Sequence, residues 1–159
     1  MNVQVLAVGK IKEKYLKQGI EEYRKRMGRY GRLQIVELKE ESFTEPLSAK
    51  QVQEILSREG ERIIAEIKPR SYVFALDRQG QEWGSKKLAT EFQRLAVGGT
   101  SQLVFIIGGS WGLDRQVLEQ ADRVLSFSKF TFPHQLMRLI LMEQIYRAFT
   151  ITRNERYHK

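Results

Sequence analysis

The sequence predicts an α/β fold, a single-domain parallel sheet with helices on both faces. Three observations carry this reading. Short β-branched runs alternate with amphipathic helical stretches from one end to the other. The runs YVFAL and LVFII are apolar throughout, as strands covered on both faces must be. The segments between strands are long enough for crossovers and too long for tight hairpins.

Strands are expected at residues 2–8 (NVQVLAV), 33–38 (LQIVEL), 72–77 (YVFALD), 102–107 (QLVFII) and 123–127 (RVLSF). The first helix, about 12–27, stops at Gly28. The second follows Ser48, a suitable N-cap, and ends before Pro69. A third begins after Ser85 and ends at Gly98 and Gly99, a fourth covers about 114–121, and the last runs from about Pro133 to Thr152. The polar, acidic stretch from Lys39 to Leu47 reads as a surface loop, so residues 1–159 form one domain.

A chain of 159 residues can bury a core without staples, since folding at this size hides roughly 70% of the extended surface. The absence of cysteine excludes disulfides, thiolate metal sites and cysteine nucleophiles, and with only His134 and His158 no metal is expected. The N-terminal apolar run precedes its lysines, the reverse of a secretory leader, and no stretch approaches the roughly 20 apolar residues a bilayer needs. A cytoplasmic protein with no membrane partner is the expectation.

The net charge of +8 points to a polyanionic partner. Residues 1–36 carry a net +6 and residues 123–159 a net +5, around a middle of −3. Cationic ends of this kind suit one nucleic-acid-facing surface; a well-solvated basic protein is the plainer alternative.

In open α/β sheets ligands sit at the carboxyl ends of strands. Three such ends stand out: LDRQGQEW, GGSWGLD and SKFTFPHQ. Neither GxGxxG after the first strand nor a GK[ST] phosphate loop is present, so the glycines at 108, 109 and 112 mark either a close approach of a ligand to the main chain or a tight strand-to-helix turn with Asp114 as N-cap. In FSKFTFPHQ, Phe127, Phe130 and Phe132 alternate with Ser128, Lys129 and Thr131, a lining suited to a flat heteroaromatic ligand, or else a plug for the sheet. His134 opens the last helix, where the macrodipole favours the neutral base, and Arg138 follows four residues on, on the same face. That helix carries more apolar positions than one stripe needs, which makes it either a dimer surface or a central core helix. The tail RNERYHK gathers phosphate-binding, stacking and proton-handling groups, among them Tyr157 and His158.

Taken in order, LAVGK, FALDRQG, FIIGGSWGL, LSFSKFTFPHQLMRLILMEQIYRAF and the final YHK resemble the RlmH family of SPOUT-class methyltransferases along the whole chain. The resemblance implies a parallel α/β sheet whose C-terminal segment threads a loop into a deep trefoil knot, an exception to the rule that connections do not thread. It implies S-adenosylmethionine (S-adenosyl-L-methionine) as cofactor, N3 of a pseudouridine in the intersubunit-bridge stem-loop of 23S ribosomal RNA as methyl acceptor, and a homodimer as the working form. The acceptor would be 23S rRNA within the large subunit or the assembled ribosome. Cofactor contacts would fall on Leu76, Gly108, Phe127, Ser128, Lys129, Phe130, Thr131 and Phe132.

For the chemistry, Arg138 or a tail arginine is expected to stabilise negative charge on the base, His134 or His158 to take the proton, and Tyr157 to orient or stack on the base. One subunit's tail is expected to complete the other's site. Two rivals stand beside this reading: an RNA-binding factor without catalysis, and a nucleotide hydrolase, which lacks both a phosphate loop and an acidic pair for magnesium.

Overall fold

The computed structural model describes residues 1–159. Ten elements alternate along the chain: β1 (Asn2–Val8), α1 (Lys14–Met27), β2 (Leu33–Leu38), α2 (Ala49–Glu66), β3 (Tyr72–Glu82), α3 (Ser85–Val97), β4 (Gln102–Ile107), α4 (Arg115–Gln120), β5 (Arg123–Ser126) and α5 (His134–Thr152). All strand pairs are parallel, in the order β2-β1-β4-β3-β5. No helix is long and apolar enough to cross a membrane.

Strand side chains alternate between two cores because successive residues point to opposite faces. Val3, Val5, Ala7, Phe74, Leu103, Phe105 and Ile107 pack with α1, α3 and α5. Leu6, Val8, Val73, Ala75, Val104 and Ile106 pack with Ile63 of α2 and Val117 of α4. The first core is the larger and is rich in rings: Phe74 stacks on Phe105 at 4.7 Å, and Phe92 bridges Phe105 to Phe149 of α5. Each such pair contributes about 0.5–1.5 kcal/mol beyond the area it buries.

Local signals set most boundaries. Ser48 caps α2 through a reciprocal box with Gln51, which satisfies two otherwise orphaned amides. Two caps differ from expectation. α3 starts one residue early, on Gly84, because the Ser85 hydroxyl donates to Gln144 of α5 at 2.6 Å instead of capping its own helix. Asp114 precedes α4 but makes no capping bond; it is 4% exposed and accepts from Gln53 of α2 at 3.1 Å. Both side chains were drawn into tertiary contacts that propensity does not encode.

The strand expected at 72–77 runs on to Glu82. Leu125 of β5 is registered against both Leu76 and Gln81, so residues 77–80 form a bulge in β3 where the register shifts. Within it Asp77 accepts from the Gln79 amide, and Gly80 is required, since a Cβ would lie 2.7 Å from the Val124 backbone. After β5 the chain leads into α5, which lies against α1 and α3.

Candidate active site at the ends of three strands

Because β4, β3 and β5 are neighbours in the sheet, the three loops singled out in the sequence open side by side. They enclose a cavity of about 960 Å³, near the top of the range of roughly 300–1,000 Å³ usual for small-molecule sites. Leu76 to Gln79 form one wall, Ile107 to Gly112 a second, and Phe127, Ser128 and Phe130 to Pro133 a third, with His134 and Met137 from the first turn of α5 closing it. The structure thus brings together Leu76, Gly108, Phe127, Ser128, Phe130, Thr131, Phe132 and His134. Lys129 lies just outside, lining open grooves with Glu82 beside the same loop.

The glycine turn is shaped by close approach. A Cβ on Gly108 would lie 2.3 Å from the Gly112 carbonyl oxygen, and Gly112, at φ +86°, pairs back with Gly109. The turn therefore presents bare main chain to the cavity. The aromatic loop is fixed by its own hydroxyls: Ser126 donates to the Ser128 carbonyl, and the Ser128 hydroxyl accepts from the Phe130 amide. Arg78 then latches two walls together, donating to the Thr131 hydroxyl at 2.6 Å. Phe130 is 79% exposed, so its ring is available to a ligand and is no plug for the sheet.

His134 points back towards the end of β1. Its Nε2 and the Oε2 of Glu40 lie 3.6 and 3.4 Å from the point where a Cβ on Gly9 would stand. Glu40 also accepts from the Ser110 hydroxyl at 3.1 Å, tying the 39–47 loop to the glycine turn. Behind it Glu59 is 4% exposed; burial pushes its carboxyl up, the Glu41 amide opposes that, and the neighbouring Glu40 and Glu41 push it further up.

Arg138 does not reach the cavity. It is 1% exposed, pairs with Glu37 at 2.6 Å and donates to the Gly9 carbonyl at 3.1 Å, leaving only its Nε without a partner. The Glu37 carboxyl, which desolvation alone would raise, ends up lowered by the Ile11 amide and by Arg138. The spacing that put Arg138 beside His134 was right, but Glu37, from a different strand, claims the guanidinium.

The tail is elsewhere. Tyr157 donates to Glu143 at 3.0 Å, lies under the Arg147 guanidinium at 4.6 Å and meets Tyr146 edge-on. Burial first, then hydrogen bonding, raises the Tyr157 hydroxyl above the usual phenol range. His158 Nδ1 is 3.3 Å from Arg147. These anchors lie nine to thirteen residues along α5 from His134, roughly 14–20 Å at the helical rise. Within one chain, therefore, Tyr157 and His158 do not join His134.

Asp77, Arg78, Ser110, Trp111 and Met137 line the cavity without having been singled out as site residues. Arg78 had a signal, its place just after an apolar strand. Met137 had none, since an apolar residue on an apolar helix looks like core. No group of three or more His, Cys, Asp or Glu is placed to hold a metal ion.

Comparison with known proteins bears directly on this site. A family model described as "Predicted SPOUT methyltransferase" matches residues 1–158. The ribosomal RNA large subunit methyltransferase H of Clostridioides difficile (strain 630) is 54% identical over 159 residues, covering all of both chains. That of Carboxydothermus hydrogenoformans is 53% identical over the same span, again all of both chains. Among solved structures, a probable methylase family protein from Haemophilus influenzae Rd KW20 superposes with a TM-score of 0.52 over 99% of this chain and 70% of that one. At 11% identity it supports the fold alone. With a family model spanning the chain and relatives more than half identical along its length, the chain belongs to the SPOUT methyltransferase family, in the RlmH group, and is a methyltransferase.

Proposed function

We propose that the chain methylates N3 of a pseudouridine in the intersubunit-bridge stem-loop of 23S ribosomal RNA, using S-adenosylmethionine, as a homodimer acting on the large subunit or the assembled ribosome. The observation that carries this reading is the cavity at the ends of β3, β4 and β5, in a chain similar throughout to large-subunit ribosomal RNA methyltransferases. The cavity fits the cofactor on its own terms: the Gly108 turn leaves main chain bare where a Cβ would collide, and Phe127 and Phe132 offer apolar faces to a purine and a thioether.

When bound, the cofactor would supply an electrophilic methyl carried on a sulfonium, with a neutral thioether as the leaving group. The chain's residues must exclude water, align the acceptor and take the N3 proton. Leu76, Gly108, Phe127, Ser128, Phe130, Thr131 and Phe132 would hold the cofactor, with Lys129 just outside, and Arg78 keeps the third wall closed through Thr131. His134, at the cavity rim, is one candidate base. Tyr157 and His158 reach a cavity only if they come from a partner subunit, because their own chain anchors them along α5. The half-buried Leu136, Leu139 and Ile140 on α5, and a small cavity of about 260 Å³ behind Phe127 and Phe132, support a partner surface at that place. Arg138 acts through position, holding Gly9 and Glu37 beside His134.

Incubation with methyl-labelled cofactor and separate 23S rRNA, large subunits and whole ribosomes tests the reading. Label at N3 of one pseudouridine is expected; no transfer to any of the three rejects it. His134→Ala and His158→Ala in single-turnover experiments assign the base, with a rate loss of at least tenfold expected in one. Undiminished rates in both remove histidine from the chemistry.

A further inference from the structure

The positive charge of the two chain ends is not equally available. Every ion pair in the structure uses arginine as its cation. Arg24, Arg26 and Arg29 at the far end of α1 pair with Glu21, Glu22 and Glu155, and Arg138 and Arg147 pair with Glu37 and Glu143. Arg153 lies over the Tyr30 ring at 4.8 Å. The arginines at the end of α1 and along α5 are therefore compensated within the fold, while Arg153 and Arg156 of the tail enter no ion pair. Lys10, Lys12 and Lys14 are exposed and enter no ion pair.

Lys10 and Lys12 sit on a loop that is fixed from beneath, and Lys14 is the first residue of α1. The Gly9 carbonyl accepts from Arg138, the Ile11 amide donates to Glu37 at 2.8 Å, and the Lys12 amide donates to Gln135 of α5 at 3.2 Å. Ile11 itself is buried in the larger core. At Gly9 the loop approaches the rim residue His134 in the first turn of α5, which sets its backbone beside the cavity. Tyr15, 65% exposed, follows Lys14 in the first turn of α1.

We infer that the Gly9–Tyr15 segment is a preformed clamp for the RNA strand flanking the target nucleotide, with Lys10, Lys12 and Lys14 on its phosphates and Tyr15 stacking on an unpaired base. A rigid backbone removes the ordering cost that a mobile basic loop would carry on binding. Phosphate contacts set position and affinity, and an exposed ring reads single-stranded bases whatever their identity. The proposal rests on the ribosomal RNA reading given above and assigns its docking surface.

The test compares wild type with the combined Lys10→Ala, Lys12→Ala, Lys14→Ala variant. Binding to protein-free 23S rRNA and to ribosomes is titrated across salt, and methyl transfer and cofactor binding are measured in parallel. Each lost phosphate contact should reduce the slope of log affinity against log salt by about 0.7–0.9, so a fall of about 2 or more is expected. KM for the RNA substrate should rise at least tenfold, with cofactor affinity unchanged and kcat within twofold. Lysine-to-arginine replacements at the three positions should keep the slope, and Tyr15→Ala should weaken binding without altering it. An unchanged slope and KM overturn the clamp, as does a change seen on ribosomes but not on protein-free RNA, which would assign the loop to an acidic protein. Absence of methyl transfer by wild type would instead reject the function, while the salt slopes still decide the clamp.

Discussion

Arg138 and Glu59 show how single buried groups carry information that composition hides. Replacing Arg138 by Met keeps the stem and removes the bonds to Glu37 and Gly9. Since the Glu37 side chain is 39% exposed and can recover water, the cost should be about 2–3 kcal/mol and not the larger penalty of a fully buried orphan, read by urea unfolding. A rate loss beyond a hundredfold with unchanged stability would restore Arg138 to direct chemistry. For Glu59, the folded carboxyl is raised above the ordinary glutamate value, chiefly by burial. Its contribution to stability is thus full below that ordinary value and is lost as pH rises through the folded one. Glu59→Gln should accordingly be more stable than wild type at pH 7, with the advantage vanishing below about pH 4, near the unperturbed glutamate range. Unfolding curves at both pH values check this, and an equal difference at each would refute it.

At the level of elements, the glycine turn and α5 matter most. In Gly108→Ala the new Cβ would meet backbone, the Gly112 carbonyl at 2.3 Å, so the turn must open and the bare main chain withdraws from the cavity. Cofactor affinity should fall by at least about tenfold, or ~1.4 kcal/mol, in calorimetric titration, with the fold retained. Affinity equal to wild type would mean that the turn is no part of the cofactor site. α5 explains why its sequence looked apolar on several faces. It lies between α1 and α3 over the sheet, buries Leu141, Met142, Ile145, Ala148 and Phe149, and still leaves Leu136, Leu139 and Ile140 half-buried. Of the two expectations for this helix the structure shows the central core helix, with one side incompletely covered.

For the whole molecule the open question is where the tail works. Its anchors on Glu143, Tyr146 and Arg147 lie well along α5 from the cavity of its own chain. If the site is shared, mixing Gly108→Ala subunits with subunits truncated after Arg153 should recover about one working site per mixed dimer at cofactor concentrations too low to load the Gly108→Ala site, where neither parent turns over. Sedimentation should show dimers in both parents, because the half-buried α5 residues precede the tail. No recovery in verified mixed dimers would show that each chain works with its own tail.

The five strands were legible because a sheet covered on both faces demands uninterrupted apolar runs, and YVFAL and LVFII could be little else. Helix ends were legible where the cap was local, as at Ser48, and Asp114 takes the N-cap position expected of it although its side chain bonds Gln53; the cap expected at Ser85 was missed because that hydroxyl found a partner on α5. The three site loops could be named from glycine and ring patterns, since chemistry of that kind is written in residue type and spacing. What the sequence determined by itself was therefore the α/β class, the strand ends that carry the cavity and the cationic character of both termini. Only the tertiary structure decided that Arg138 belongs to Glu37, that Arg29 and Arg147 beside the tail are paired while the lysines near Gly9 are not, and that His134 and His158 lie apart. Those outcomes depend on which side chains meet across distant segments, and periodicity, being a property of neighbours along the chain, does not contain them.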